Sequence, residues 1–291
     1  MKTVFRLLVA GALFACAQAA FSQPAAIVEG VQMPAWVERG DGRRAPLAPG
    51  MELRSGEQVR TGANSRVLIK MSEGSLVKLG ENGLLRVEEL RPDDGGVFKA
   101  ALRVAEGAFR FTTNALTKNR RRNVSISVAT VTAGIRGTDL WGKSDAADRQ
   151  IICLIEGSIE VGAPGETPVV MDQSRQFYQR VQGKTLPVGF VEPQQLGQWA
   201  TETEIAAGRG AARSGGKWKV TLASAETQDV ALLVYDQLRA NGYPAVILPA
   251  MVDGKRVYHV RITSLPSREE AEALAGQLRG RMGVGEPRVS T

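Results

Sequence analysis

One pattern occurs twice in the last quarter of the chain at a constant offset of 40 residues. Trp218, Val220, Leu222, Ser224, Ala231, Val234, Leu238 and Arg239 recur as Tyr258, Val260, Ile262, Ser264, Ala271, Leu274, Leu278 and Arg279. Each copy opens with apolar residues at every second position, the period of a strand with one buried face. Each then changes to helical spacing. In the second copy Ser267 and Glu270 form a capping box ahead of Ala271, Leu274 and Leu278. In the first, Thr227 precedes Val230, Val234 and Leu238 on one predicted helix face, and Asn241-Gly242 is the stop. Further short strands follow at Ala245–Leu248 and Pro287–Ser290. A βαββαβ order covers one sheet face with two helices and leaves the other open, the ferredoxin-like arrangement.

The alternation also predicts what the open face displays. With Trp218, Val220, Leu222, Tyr258, Val260 and Ile262 turned to the helices, Lys217, Lys219, Thr221, Val257, His259 and Arg261 point away. That set is polar and mostly basic. Sheets of this type host many functions, and a solvated face is the plain alternative.

The segments Lys217–Ser224, Leu238–Tyr243, Val257–Ile262 and Ser267–Ala273 resemble a SPOR domain in order and spacing across 217–291. The resemblance implies binding to peptidoglycan, specifically glycan strands stripped of stem peptides, with binding positions at Thr221, Ser224, Val257 and His259. Two stretches depart from the family pattern: Ala223-Ser224-Ala225 replaces a Gly-Ser-Phe, and Val257 stands where an aromatic is common. Independently of the family, a stripped glycan exposes lactyl carboxylates that Lys217, Lys219 and Arg261 are suited to meet.

At the other end, residues 1–19 read as an export signal: Lys2 and Arg6, an apolar run from Leu7 to Ala15, and a small-residue cleavage site at Ala17-Gln18-Ala19. This run is too short for a membrane span and no other long apolar run exists, so a periplasmic location without a transmembrane helix in the mature chain is expected. An alternative reads Leu13-Phe14-Ala15-Cys16 as a lipobox, which would tether the chain through Cys16. The chain has two cysteines and one histidine, His259. Cleavage after Ala19 leaves Cys153 alone, in the apolar run Ile151–Ile155, where a buried thiol is expected. These counts argue against a His/Cys zinc site, a Ser-His-Asp triad and a Cys-His dyad, and no cofactor is expected. The net charge is +7. In an exported chain it suits an anionic wall or lipid surface rather than nucleic acid, and its densest point is Lys118–Arg122.

Residues 27–187 read as an all-β domain, a roll, a sandwich or an irregular stack. Strand-like runs such as Ser65–Met71, Ser75–Leu79, Leu84–Glu88 and Ala108–Phe111 are broken at Thr61-Gly62, Glu73-Gly74, Asn82-Gly83, Glu106-Gly107 and Glu156-Gly157. Residues 188–216 then read as a short helix, packed back through Leu196 and Trp199, followed by a flexible linker over 208–216. Two independently folded modules on a short tether are the expectation.

The run Val128–Leu140, with Pro49–Leu53, Val59–Gly62 and Ser72–Ser75, resembles a FecR domain over about 28–185. FecR itself belongs to transmembrane regulators of a sigma factor, but the cytoplasmic segment and membrane helix that do this have no counterpart in the sequence. The resemblance therefore implies a periplasmic domain for a protein or ligand partner. The leading expectation is a non-enzymatic cell-envelope protein held on peptidoglycan, with a role at division sites. The alternative is a FecR-type signalling protein anchored near the wall. A glycan hydrolase would need paired carboxylates, and the candidates fail: Glu88-Glu89 point to opposite strand faces, Asp93-Asp94 lie in a turn, and Glu269-Glu270 begin a helix where acids suit the dipole.

Overall fold

The computed structural model describes residues 24–91, 97–113, 122–135, 137–145 and 148–291. The export signal with Cys16, the pair Asp93-Asp94 and Lys118–Arg121 lie outside the described residues. In chain order the first strands are β1 (Ala26–Gln32), β2 (Ala35–Glu38), β3 (Arg44–Pro46), β4 (Gln58–Thr61), β5 (Arg66–Met71), β6 (Leu76–Leu79), β7 (Leu84–Arg91) and β8 (Phe98–Thr112). Next come β9 (Arg122–Val128), β10 (Val131–Ile135), β11 (Asp139–Asp145), β12 (Arg149–Glu156), β13 (Ile159–Gly162), β14 (Val169–Met171) and β15 (Gln176–Val181). The pairs β16 (Lys184–Thr185) and β17 (Gly189–Phe190) lead into α1 (Pro193–Thr201) and β18 (Ala211–Arg213). The C-terminal unit is β19 (Trp218–Ala225), α2 (Gln228–Ala240), β20 (Val246–Val252), β21 (Lys255–Leu265), α3 (Arg268–Leu278) and β22 (Arg288–Ser290).

The β-domain is built of two sheets over one core. One runs β18-β1-β5-β6-β8-β11-β12-β15, the other β3-β2-β4-β7-β8-β9-β10-β13-β14. Strand β8 belongs to both. Its first half pairs with β7 and, in parallel, with β9, while its second half pairs with β6 and β11. The break expected at Glu106-Gly107 is therefore a corner inside a single 15-residue strand. Gly107 turns it with φ of 84°, and a Cβ there would stand 2.7 Å from the Cα of Gly83. Only glycine fits both demands. The inner faces alternate buried and open positions as a half-buried strand requires, with Val28, Val67, Leu85, Phe109 and Ile126 at 1% exposure or less.

Helix α1 lies on the outside of this domain. Its Trp199 stacks on the fully buried Trp141 with ring centroids 4.7 Å apart and planes within 8°. Phe177 meets Trp199 edge-on at 6.4 Å. Cys153 is buried in the same cluster, and burial pushes its thiol up to about 12, too high to form a thiolate at neutral pH.

The segment behind α1 departs from the flexible linker expected at 208–216. Glu202 pairs with Lys143 at 2.8 Å, and Glu204 pairs with Lys78 and with Arg110. Ala211–Arg213 then adds strand β18 to the edge of β1. The carboxylate of Glu270 accepts the backbone N–H groups of Gly208, Gly210 and Ala211 at 2.7, 2.7 and 2.9 Å. Only half of the expected capping box forms: Ser267 Oγ accepts the N–H of Glu270, while the Glu270 side chain serves the incoming segment instead. Three charge-assisted bonds outweigh the single N-cap bond.

The two domains consequently form one body. Buried apolar residues run without interruption from the β-domain through Ala212 into Val220, Leu274 and Leu278. Ala35 donates its N–H to the carbonyl of Gly242, and Trp36 Nε1 donates to that of Ala240. The tether expected between the two modules is thus replaced by a shared core. Among the described residues, no helix is long and apolar enough to cross a membrane.

Candidate functional site

The C-terminal sheet has the order β20-β21-β19-β22, all antiparallel, the ferredoxin-like order. Helices α2 and α3 close one face over Val220, Leu222, Val260 and Ile262, each at 1% exposure or less. Thr227 and Ser267 cap the helices, accepting the N–H groups of Val230 and Glu270. Residues of opposite parity look out from the other face.

Parity alone would bury Ser224, which shares it with Val220 and Leu222. A bulge prevents this. Between Thr221 and Ala223 the first strand carries one residue more than its partner, so Ser224 falls opposite His259. There Ser224 Oγ lies 2.8 Å from His259 Nδ1. The bulge thus joins two of the predicted positions into one hydrogen-bonded pair on the open face.

One step along, a cross-strand row runs Arg288, Thr221, Arg261, Val246. Arg261 Nε donates to Thr221 Oγ1 at 3.1 Å, which orients the guanidinium across the sheet. The neighbouring row places Leu248 opposite His259. Partial burial, then the charges of Arg261 and Arg288, hold the His259 pKa below its ordinary 6.5, so the ring is neutral near pH 7. A neutral imidazole, two hydroxyls and two guanidinium groups sit beside exposed Val246 and Leu248. Such a face suits a ligand that alternates carboxylates, hydroxyls and apolar ring faces.

Other predicted positions flank this cluster. Lys219 Nζ donates to the backbone oxygen of Thr291 at the chain end. Lys217 is exposed ahead of β19, and Val257 is half-buried opposite Ala250. Sequence reasoning missed Arg288, although Val289 turning inward on β22 could have signalled it. It also missed the outward Val246 and Leu248, because apolar strand residues read as buried. Val230 was expected on the packed face of α2, but it is 54% exposed and lines a cleft of about 430 Å³ beside Thr221 and Arg288.

In the β-domain, the late glycine motif forms a structural corner. The chain leaves one sheet at Ile135 and enters the other at Asp139, with Gly137 at φ 70°. Arg110 grips the Asp139 carboxylate in a fork, Nε to Oδ1 at 2.9 Å and Nη2 to Oδ2 at 2.7 Å. That hydrogen bonding raises the Arg110 pKa further above its ordinary value. Thr113 donates its N–H to the Thr138 carbonyl, and Thr113 Oγ1 accepts the N–H of Thr138. These contacts brace the fold.

Two family models match the chain. The SPOR domain model covers residues 214–286 and the FecR protein model covers residues 57–160, so a FecR domain is followed by a C-terminal SPOR domain. No curated protein matches. Two solved structures are similar in outline, both of a "putative anti-sigma factor" from Parabacteroides distasonis ATCC 8503. They are 14% and 12% identical, each with a TM-score of 0.40 over 76% of this chain and 89% of theirs.

Proposed function

We propose that this protein is a non-enzymatic, periplasmic cell-envelope protein that binds denuded glycan strands of peptidoglycan through the open face of its SPOR domain. A SPOR domain and a FecR domain in one chain support a cell-envelope role. The single observation that carries the finer reading is the row Arg288-Thr221-Arg261 beside the Ser224–His259 pair. Two guanidinium groups face lactyl carboxylates, hydroxyls and the imidazole bind sugar hydroxyls and acetamido groups, and Val246 and Leu248 lie against ring faces. Lys217, Lys219 and Val257 flank this centre and contribute at its rim. The β-domain engages a second envelope component, and division sites, where stripped glycan is exposed, are the proposed location.

The test is co-sedimentation of the full chain with intact sacculi and with sacculi stripped by an amidase. Preferential recovery with stripped material supports the reading; equal recovery, or none, removes it. The FecR match favours a second reading, envelope signalling with the SPOR domain as anchor. Crosslinking in living cells to an inner-membrane regulator, lost when the β-domain is deleted, would establish that alternative.

A further inference from the structure

Strand β20 is an outer edge of the C-terminal sheet. Its seven residues, Val246-Ile247-Leu248-Pro249-Ala250-Met251-Val252, carry no charge. Yet Val246, Leu248, Met251 and Val252 are 38%, 42%, 66% and 44% exposed. Natural edge strands are covered or broken by charge, and an apolar patch left open in this way marks a contact surface.

The exposure lies on both faces of the strand. Residues directly opposite in an antiparallel pair share a face. Leu248 and Val252 therefore stand with His259 and Lys255 on the open face, and Met251 stands with Arg256 on the other. Pro249 shares the face of Met251 and is exposed, as are all of residues 251–256, so α2 and α3 do not cover this end of the β20–β21 hairpin. Lys255 and Arg256 place one cation beside the apolar residues of each face. From Pro244 to Leu265 the one acid is Asp253 in the turn, against Lys255, Arg256 and Arg261.

These features select the occupant. A protein laid on a sheet covers one face and would leave the apolar residues of the other in water. A partner strand, or a second copy of this chain, would extend the ladder, and Pro249 has no N–H to give it. A lipid surface receives side chains from both faces of one strand at once, and its wet headgroup layer satisfies the outer N–H and C=O groups. Cations on the next strand then meet anionic headgroups. We propose that the β20 edge rests on an anionic phospholipid bilayer, with Leu248, Met251 and Val252 at the boundary of headgroups and acyl chains and Lys255 and Arg256 at the level of the phosphates. Met251, Val252, Lys255 and Arg256 lie outside the residues assigned to glycan, so this proposal and glycan binding stand or fall separately.

The experiment is co-sedimentation of the full chain, without glycan and at fixed salt, with vesicles of mixed phosphatidylglycerol and phosphatidylcholine and with vesicles of phosphatidylcholine alone. The expected result is at least about tenfold tighter binding to the anionic vesicles. The double variant Met251→Ser, Val252→Ser, at exposed side chains, should weaken that binding about tenfold and leave recovery with stripped sacculi as in the wild type. Equal binding to both kinds of vesicle, binding to neither, or wild-type binding by the double variant would overturn the proposal. So would dimerisation in the absence of lipid that the double variant abolishes, which would assign the edge to a second copy.

Discussion

Gly242 lies against the ring of Trp36: a Cβ on the glycine would stand 2.7 Å from Trp36 Cε2, and the backbone there has φ of 81°. The helix stop of the C-terminal domain is thus a docking point for the β-domain. Gly242→Ala should cost about 2–4 kcal/mol, combining left-handed strain with overpacking. Urea unfolding measures this, and a change under about 0.5 kcal/mol would mean the two domains do not dock through Trp36.

Glu270 joins the same two domains through three backbone N–H groups. Glu270→Gln replaces one acceptor oxygen with a donor, so at least one N–H loses its partner. The expected loss is about 2–3 kcal/mol. Calorimetry on the full wild-type chain should give one cooperative transition, as a shared core requires. Two separate transitions would contradict the continuous core.

For glycan binding, Arg288→Ala should weaken recovery with stripped sacculi about tenfold, comparable to Arg261→Ala. Wild-type recovery of the Arg288 variant would limit the site to the two central strands. Both contributions should shrink as salt rises, since charges on an exposed face are screened.

A pH dependence follows from His259. Its folded pKa lies below the ordinary 6.5, first through burial and then through Arg261 and Arg288. The unfolded chain therefore takes up this proton at higher pH than the folded chain, so this contribution to stability is present above pH 6.5 and lost as pH falls through the folded value. A bound carboxylate reverses the local field and raises the pKa. Binding then takes up a proton, and affinity should increase from about pH 7.5 to about pH 5.5. Co-sedimentation across that range checks the sign, with His259→Gln expected to flatten the profile.

Trp199 covers the fully buried Trp141. Trp199→Ala should cost about 3 kcal/mol by removing the stack and opening the cluster around Cys153. The matching observation is faster labelling of Cys153 by a thiol reagent. Unchanged labelling and melting temperature would assign the aromatic pair no structural role.

The C-terminal fold was legible because its information is local. Alternating apolar residues, the Thr227 and Ser267 caps and the Gly242 stop each act within a few residues, and their repetition specifies a βαββαβ chain without reference to anything distant. The outward polarity of Thr221, His259 and Arg261 followed from the same parity. What tertiary structure decided is where that parity breaks and what meets across the chain. The bulge that brings Ser224 to His259, the arrival of Arg288 beside Thr221 and the exposure of Val246 and Leu248 depend on pairing register, which no single strand encodes. Glu270 carries the strongest case: its local signal, a capping box, was outcompeted by three backbone amides some 60 residues earlier in the chain. A short-range rule gave way because the longer-range partners offered more hydrogen bonds to one buried carboxylate.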